Sequence, residues 1–249
     1  MSGHSKWHNI KLRKGKADAQ RGALFTKLSK EVILATRSGS SDPDANYRLK
    51  MAVEKARAAN MPMDTIKRAI ARASGESGDR QIEEIRYEGY GPAGVAVIVD
   101  AATDNRNRTA AELRFLFSRH GGALGESGSV AWMFEPRGLI DVDPQGRSEE
   151  RLMEDALVDG VVDIRFGSGT EAEIVTEPAA LASVRESLAR HGLVATGMVL
   201  GVEPTTRVAP EGPELAAALD FLEALDEHED VQRVFSNLDV DDAQIEALA

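Results

Sequence analysis

The stretch LIDVDPQGRSEERLMEDALVDGVVDIRFGSGTEAEIVTEPAALASVRESLARHGLVATGMVLGV, residues 139–202, decides the fold. Short β-rich runs at 139–142, 162–166, 171–176 and 194–202 read as strands. Between them, 148–158 and 179–191 carry apolar residues at helical spacing. The order is βαββαβ, the split-βαβ or ferredoxin-like order. It places Leu152, Ala156, Leu181, Val184 and Leu188 against one sheet.

Outward from this unit the flanks complement each other. Residues 82–90 partly alternate, GPAG at 91–94 is a turn, and 95–99 is β-branched, which makes a hairpin. A helix follows over 105–120 through Ala110, Leu113, Leu116 and Phe117, then a glycine-rich loop at 121–128 and a strand at 129–135. Beyond the central unit, 213–227 is helical through Leu215, Leu219, Leu222 and Leu225, and 231–238 is a strand. The central unit, 137–202, therefore reads as an insertion in a discontinuous domain made of 81–136 and 203–240, with an acidic tail at 241–249. Upstream, helices are expected at 17–38, at 43–60 (Asp42 as cap, Pro43 at the first helical position) and at 63–74. Residues 75–81, GESGDRQ, form a polar linker. The expected fold class is α+β: an N-terminal three-helix domain within 1–80, followed by two α/β (ferredoxin-like) domains, one inserted in the other.

Of 249 residues, 42% are hydrophobic and 29% charged, enough to bury real cores. The most apolar segment, 94–102, already contains Asp100, so no membrane span is expected. Cysteine is absent, which excludes disulfides, thiol nucleophiles and Cys-ligated metal. The first 16 residues lack an apolar signal region, and a cytoplasmic location is expected. The net charge of -11 is unevenly divided. Residues 1–80 hold 17 Lys and Arg against 8 Asp and Glu; residues 81–249 hold 13 against 33. A basic module on an acidic body still carries a local positive field.

That field is densest in the arm, 1–16, which contains Lys6, Lys11, Arg13, Lys14 and Lys16 and no acid. Trp7, His4 and His8 lie among these cations. Cations neutralise phosphates and release counterions, and aromatic faces stack on unpaired bases. Arg21, Lys27, Lys67, Arg68 and Arg72 extend the track. Arg106 and Arg108, at a helix start after a strand, offer a secondary anion contact. The loop 121–128 follows a helix and enters a strand, the reverse of a phosphate loop, and lacks a Walker lysine. The five histidines have no HExxH spacing, and no nucleophile–base set stands out. No enzyme activity, cofactor or metal is expected.

Long motifs in the chain resemble the YebC/PmpR family. They are GHSKWHNIKLRKGKADAQRGALFTKLSKEV (3–32), NMP (60–62), YEGYGPAGVAVIV (87–99), TDNRNRTAAELR (103–114) and GSVAWMF (128–134). One departure is His8, where the family opening GHSKWANIK has a small residue. The resemblance extends to the mitochondrial translational activator of cytochrome oxidase subunit I. It implies three domains and no catalysis. It also implies either a DNA-binding transcriptional regulator or a translation factor associated with the ribosome and its RNA. The third helix has cations but no Asn or Gln for reading adenine, while a tryptophan-bearing arm suits unpaired bases. Binding of DNA, of ribosomal RNA, or of both is expected. Transcriptional control is the leading expectation, translation through the ribosome the alternative, and an acidic protein-interaction scaffold the third. No membrane and no small-molecule substrate is expected as a partner.

Overall fold

Residues 19–73, 81–166 and 172–240, with Gln244, are described by a computed structural model. The side chains of Ala19, Gln20 and Arg21 lie outside that description. The N-terminal module is formed by α1 (Ala19–Arg37), α2 (Tyr47–Ala58) and α3 (Met63–Ala73). Leu28, Ala56, Met61 and Ile66 close its core.

The second helix starts later than Asp42 and Pro43 suggest. Asp42 is used in a turn, its carboxylate accepting from the Asp44 N–H at 3.0 Å. Asn46 caps α2 instead, accepting from the Leu49 N–H at 3.1 Å. The Asn46 amide also donates to the carbonyls of Ala35 and Ser40, at 2.8 and 2.7 Å, and so ties the end of α1 to the start of α2. At the other end of α2, Asn60 takes a φ of 60° and Met61 N–H returns to the Ala56 carbonyl at 3.0 Å. This left-handed cap turns the chain and drives Met61 into the core.

Two antiparallel four-stranded sheets make the body. The first has the order β3-β1-β2-β8, built from β1 (Glu83–Tyr90), β2 (Ala96–Thr103), β3 (Ala123–Leu124) and β8 (Val231–Ser236). The second has the order β5-β6-β4-β7, built from β4 (Phe134–Val142), β5 (Val161–Phe166), β6 (Ala172–Thr176) and β7 (Ala195–Pro204). With α5 (Glu149–Ala156) and α6 (Leu181–Arg190), the second sheet has the ferredoxin-like arrangement. The first sheet reaches its order by a different element sequence, with α4 (Arg106–Arg119) and α7 (Gly212–Glu227).

Each sheet buries both faces. Val95, just before β2, and Val97 and Val99 within it pack on α4 and α7, while Ala96 and Ile98 point the other way. There they meet Phe134, Leu139 and Val175 of the second sheet. Against the outer face of that sheet pack Leu152 and Ala156 of α5 and Leu181, Val184 and Leu188 of α6, the side chains expected there. The layers are thus helix, sheet, sheet, helix.

The strand expected at 129–135 is not formed as such. A short 3-10 turn, Ala131–Met133, stands in its place, and β4 begins at Phe134 and runs into the second sheet. The buried Glu88 carboxylate accepts from the N–H groups of Gly128, Val130 and Ala131, at 2.8, 3.0 and 2.8 Å. Those donors are consequently withheld from any strand ladder.

The helical module docks on both sheet units. Arg37 donates to the Ile82 carbonyl at 2.9 Å, and Arg48 pairs with Glu84 at 2.8 Å. The Arg185 guanidinium of α6 lies 4.0 Å over the Tyr47 ring of α2.

Candidate nucleic-acid interface

Lys6, Trp7, Lys11, Arg13, Lys14 and Lys16 lie outside the described residues, as does the side chain of Arg21. On α3, Lys67 is exposed and has no hydrogen bond or ion pair among the described residues. Arg68 is exposed too, but its guanidinium is steered back along the helix to the Asp64 carbonyl and the Thr65 hydroxyl, both at 3.2 Å. Arg72 is half-buried. Amphipathic spacing explains the arrangement: Ile66 and Ala69 face inward and leave Lys67 and Arg68 outward.

Lys27 is half-buried and turned onto the body instead. Its ammonium donates to the Asp226 carbonyl and lies 3.8 Å from the Asp226 carboxylate. One turn on, Lys30 pairs with Asp230. The charge division seen in the sequence is therefore partly an internal interface, with α1 lysines seated on body carboxylates.

Asp230 is the hub of that interface and is fully buried. It accepts from the Thr109 hydroxyl at 2.6 Å, from the Arg108 guanidinium at 3.0 Å, and from Lys30. Burial pushes its carboxyl up. Hydrogen bonds from Lys30, Thr109 and Arg108, and the charge of Lys30, outweigh burial and lower it to about 2. His228 Nε2 and Glu112 adjoin at 3.0 Å. Glu112, His228 and Asp230 together present ligand atoms within 4.8 Å. Since Lys30 and Arg108 already hold Asp230, this cluster is an ion-pair hub rather than a cation site.

The two arginines expected to bind an anion have separate roles. Arg108 is held by Asp230 and by Asp104, the latter at 3.3 Å. Asn105 caps α4, accepting from the Arg108 N–H at 3.2 Å, so that donor is already satisfied. Arg106 remains exposed, and its carbonyl accepts from the Tyr87 hydroxyl at 3.3 Å. The glycine-rich loop at 121–128 also has an internal partner. Its last N–H, that of Gly128, and those of Val130 and Ala131 just beyond bind Glu88, which they hold below the usual carboxylate range against the opposing effect of burial.

Two exposed aromatic residues escaped the sequence reading. Trp132 is 69% exposed and Phe115 63% exposed. Trp132 Nε1 and the Tyr90 hydroxyl converge on the Ser129 carbonyl, at 3.1 and 3.4 Å. Phe115 had a detectable signal: it falls out of phase with Leu113 and Phe117, the buried apolar residues of α4. Asp230 had none, because HED at 228–230 looks like any solvated acidic turn.

Comparison with known proteins covers both parts of the chain. Residues 5–76 match the model of the TACO1/YebC protein N-terminal domain, and residues 82–238 match that of the TACO1/YebC second and third domain. A protein of Moorella thermoacetica is 48% identical over 250 residues, covering 100% of this chain and 99% of its own. One of Synechococcus sp. (strain JA-3-3Ab) is 49% identical over 251 residues, covering 100% of each. Both are named probable transcriptional regulatory protein. The crystal structure of a conserved hypothetical protein from Aquifex aeolicus, Aq1575, superposes with a TM-score of 0.83. It is 43% identical and covers 92% of this chain and 95% of its own.

Proposed function

The chain belongs to the TACO1/YebC family, and from that premise we propose that it is a non-enzymatic, cytoplasmic regulator of gene expression that binds nucleic acid, with DNA and transcription as its target. The observation that carries this reading is the charge division. Residues 1–80 hold 17 cations against 8 acids on a chain of net charge -11. The names of the curated relatives agree with a regulator. Phosphate contacts fall to the arm cations Lys6, Lys11, Arg13, Lys14 and Lys16, with Arg21, Lys67, Arg68 and Arg72 extending them. Lys27 and Arg108 are left to their carboxylate partners.

A second target, ribosomal RNA on the ribosome, is favoured by one feature of α3. Its sequence, MDTIKRAIARA, offers cations but no Asn or Gln to read adenine in a major groove. Trp7 in the arm suits unpaired bases. Fractionating a cell lysate at low salt, with DNase or RNase, separates the two. Release by DNase supports the transcriptional reading and release by RNase the ribosomal one. A protein that sediments with neither nucleic acid, before or after treatment, contradicts both.

A further inference from the structure

We propose that the outward face of α4 is a second nucleic-acid contact, one that takes a single-stranded stretch. Arg114 and Arg119 hold its phosphates and Phe115 stacks on a base. The proposal rests on the nucleic-acid reading above and extends it from the helical module to the acidic body. Helix α4 buries Thr109, Leu113 and Phe117 against the first sheet and α7. Phe115 points away from that core, 63% exposed. A single exposed aromatic is ordinary on a protein surface. What distinguishes this one is its neighbours.

Arg114 and Arg119 are exposed, and neither has a hydrogen bond or ion pair among the described residues. The body is otherwise strongly acidic, and many of its other arginines are paired. Arg86, Arg137, Arg147, Arg151, Arg165 and Arg207 each face a carboxylate. At 3.6 residues per turn, Arg119 lies about 40° from Phe115 around the helix, and Arg114 about 100° to its other side. Their Cα positions are about 7.5 Å apart along the axis. An aromatic face between two uncommitted guanidiniums matches a backbone with its base turned inward.

The face is also continuous with the basic module. Lys30 of α1 and Arg108 of α4 grip the same carboxylate, that of Asp230, so the first turn of α4 is clamped against α1. Arg106 is exposed at that junction. Arg106 opens the helix that carries Arg114 and Arg119 further along, so α4 runs from that junction to the proposed contact. Charge complementarity calls for an anionic partner, and the exposed ring of Phe115 beside the two arginines favours one that also offers bases to stack.

The test uses the full chain and fluorescein-labelled 20-mers of oligo(dT) and oligo(U), read by anisotropy across a salt series. The Arg114→Ala/Arg119→Ala variant should lower the slope of log K against log salt by about 1.4, two single-strand contacts' worth. Phe115→Ala should weaken binding about tenfold with the slope intact, because stacking releases no counterions. The oligomer that shows these losses identifies which sugar the face accepts. All three side chains are exposed, so melting temperature should not move. If wild type binds, an arm variant loses affinity, and both α4 variants match wild type, the α4 proposal falls and the proposed function stands. If wild type binds neither oligomer nor duplex DNA, both fall. If Phe115→Ala instead converts a dimer to a monomer in sedimentation, with nucleic-acid binding unchanged, the face is a self-association surface and the proposal is overturned.

Discussion

Replacing Asp230 by Asn removes the charge that joins the helical module to the body while keeping its shape. Asp230 is 0% exposed and receives Lys30, Thr109 and Arg108. Those partners bring its carboxyl from 3.8 to about 2 in spite of burial. At about 1.4 kcal/mol per tenfold change, the charged form gains about 2 kcal/mol on folding. Because the folded value is depressed, this stabilisation is present above about pH 4 and is lost as the pH falls through 2. Stranding a buried partner costs about 3–5 kcal/mol when it cannot reach water. Here the Arg108 side chain is 39% exposed and rehydrates, whereas the Lys30 side chain is 12% exposed and does so poorly. The expected loss is therefore about 2–3 kcal/mol at pH 7, measured by urea denaturation followed by circular dichroism. Between pH 5 and 2 the variant should also lack part of the wild-type acid dependence. A cycle with Lys30→Met should give a coupling of about 1–2 kcal/mol. A variant within about 0.5 kcal/mol of wild type at pH 7, with an unchanged acid profile, would refute the assignment of Asp230 as the hub.

Leu188→Asp should cost about 3–5 kcal/mol in the same denaturation experiment, since Leu188 lies on the buried face of α6 and the new charge would enter an apolar cluster. Glu88→Gln should cost about 1.5–3 kcal/mol, because the carboxylate holds the N–H groups of Gly128, Val130 and Ala131 and an amide accepts through one oxygen only. Burial raises the Glu88 carboxyl, but those N–H groups and Arg86 bring it below its ordinary value, so its contribution is present at neutral pH and lost on acidification. An acid titration of stability that is identical for Glu88→Gln and wild type would contradict this.

The central βαββαβ unit was legible because its strands are β-branched and its helices bury one stripe each, as Leu152, Val184 and Leu188 show. Local propensity carries that information. The start of β4 was not legible, because it depends on Glu88, forty residues upstream, capturing the N–H groups of Gly128, Val130 and Ala131. The start of α2 was missed for a nearer reason. Asp42 and Asn46 are both good caps, and only the contact of Asn46 with Ala35 and Ser40 decides between them. Among the site residues, Lys67 and Arg68 face solvent as helical periodicity predicts. Lys27 and Arg108 carry the same charge in the sequence, yet their partners Asp226 and Asp230 come from the other end of the chain. Composition cannot distinguish a cation awaiting phosphate from one already paired across that distance.

The central claim, that the basic N-terminal segment is the nucleic-acid contact, is tested most directly by the salt dependence of binding. Wild type should be compared with a variant in which Lys6, Lys11, Arg13, Lys14 and Lys16 are all Ala, on duplex DNA and on purified ribosomes. On duplex DNA the arm should contribute about -4.5 to the slope of log K against log salt, and the variant should lose most of that slope with every sequence tested. A five-alanine protein that binds both DNA and ribosomes with the wild-type affinity and slope would contradict the account.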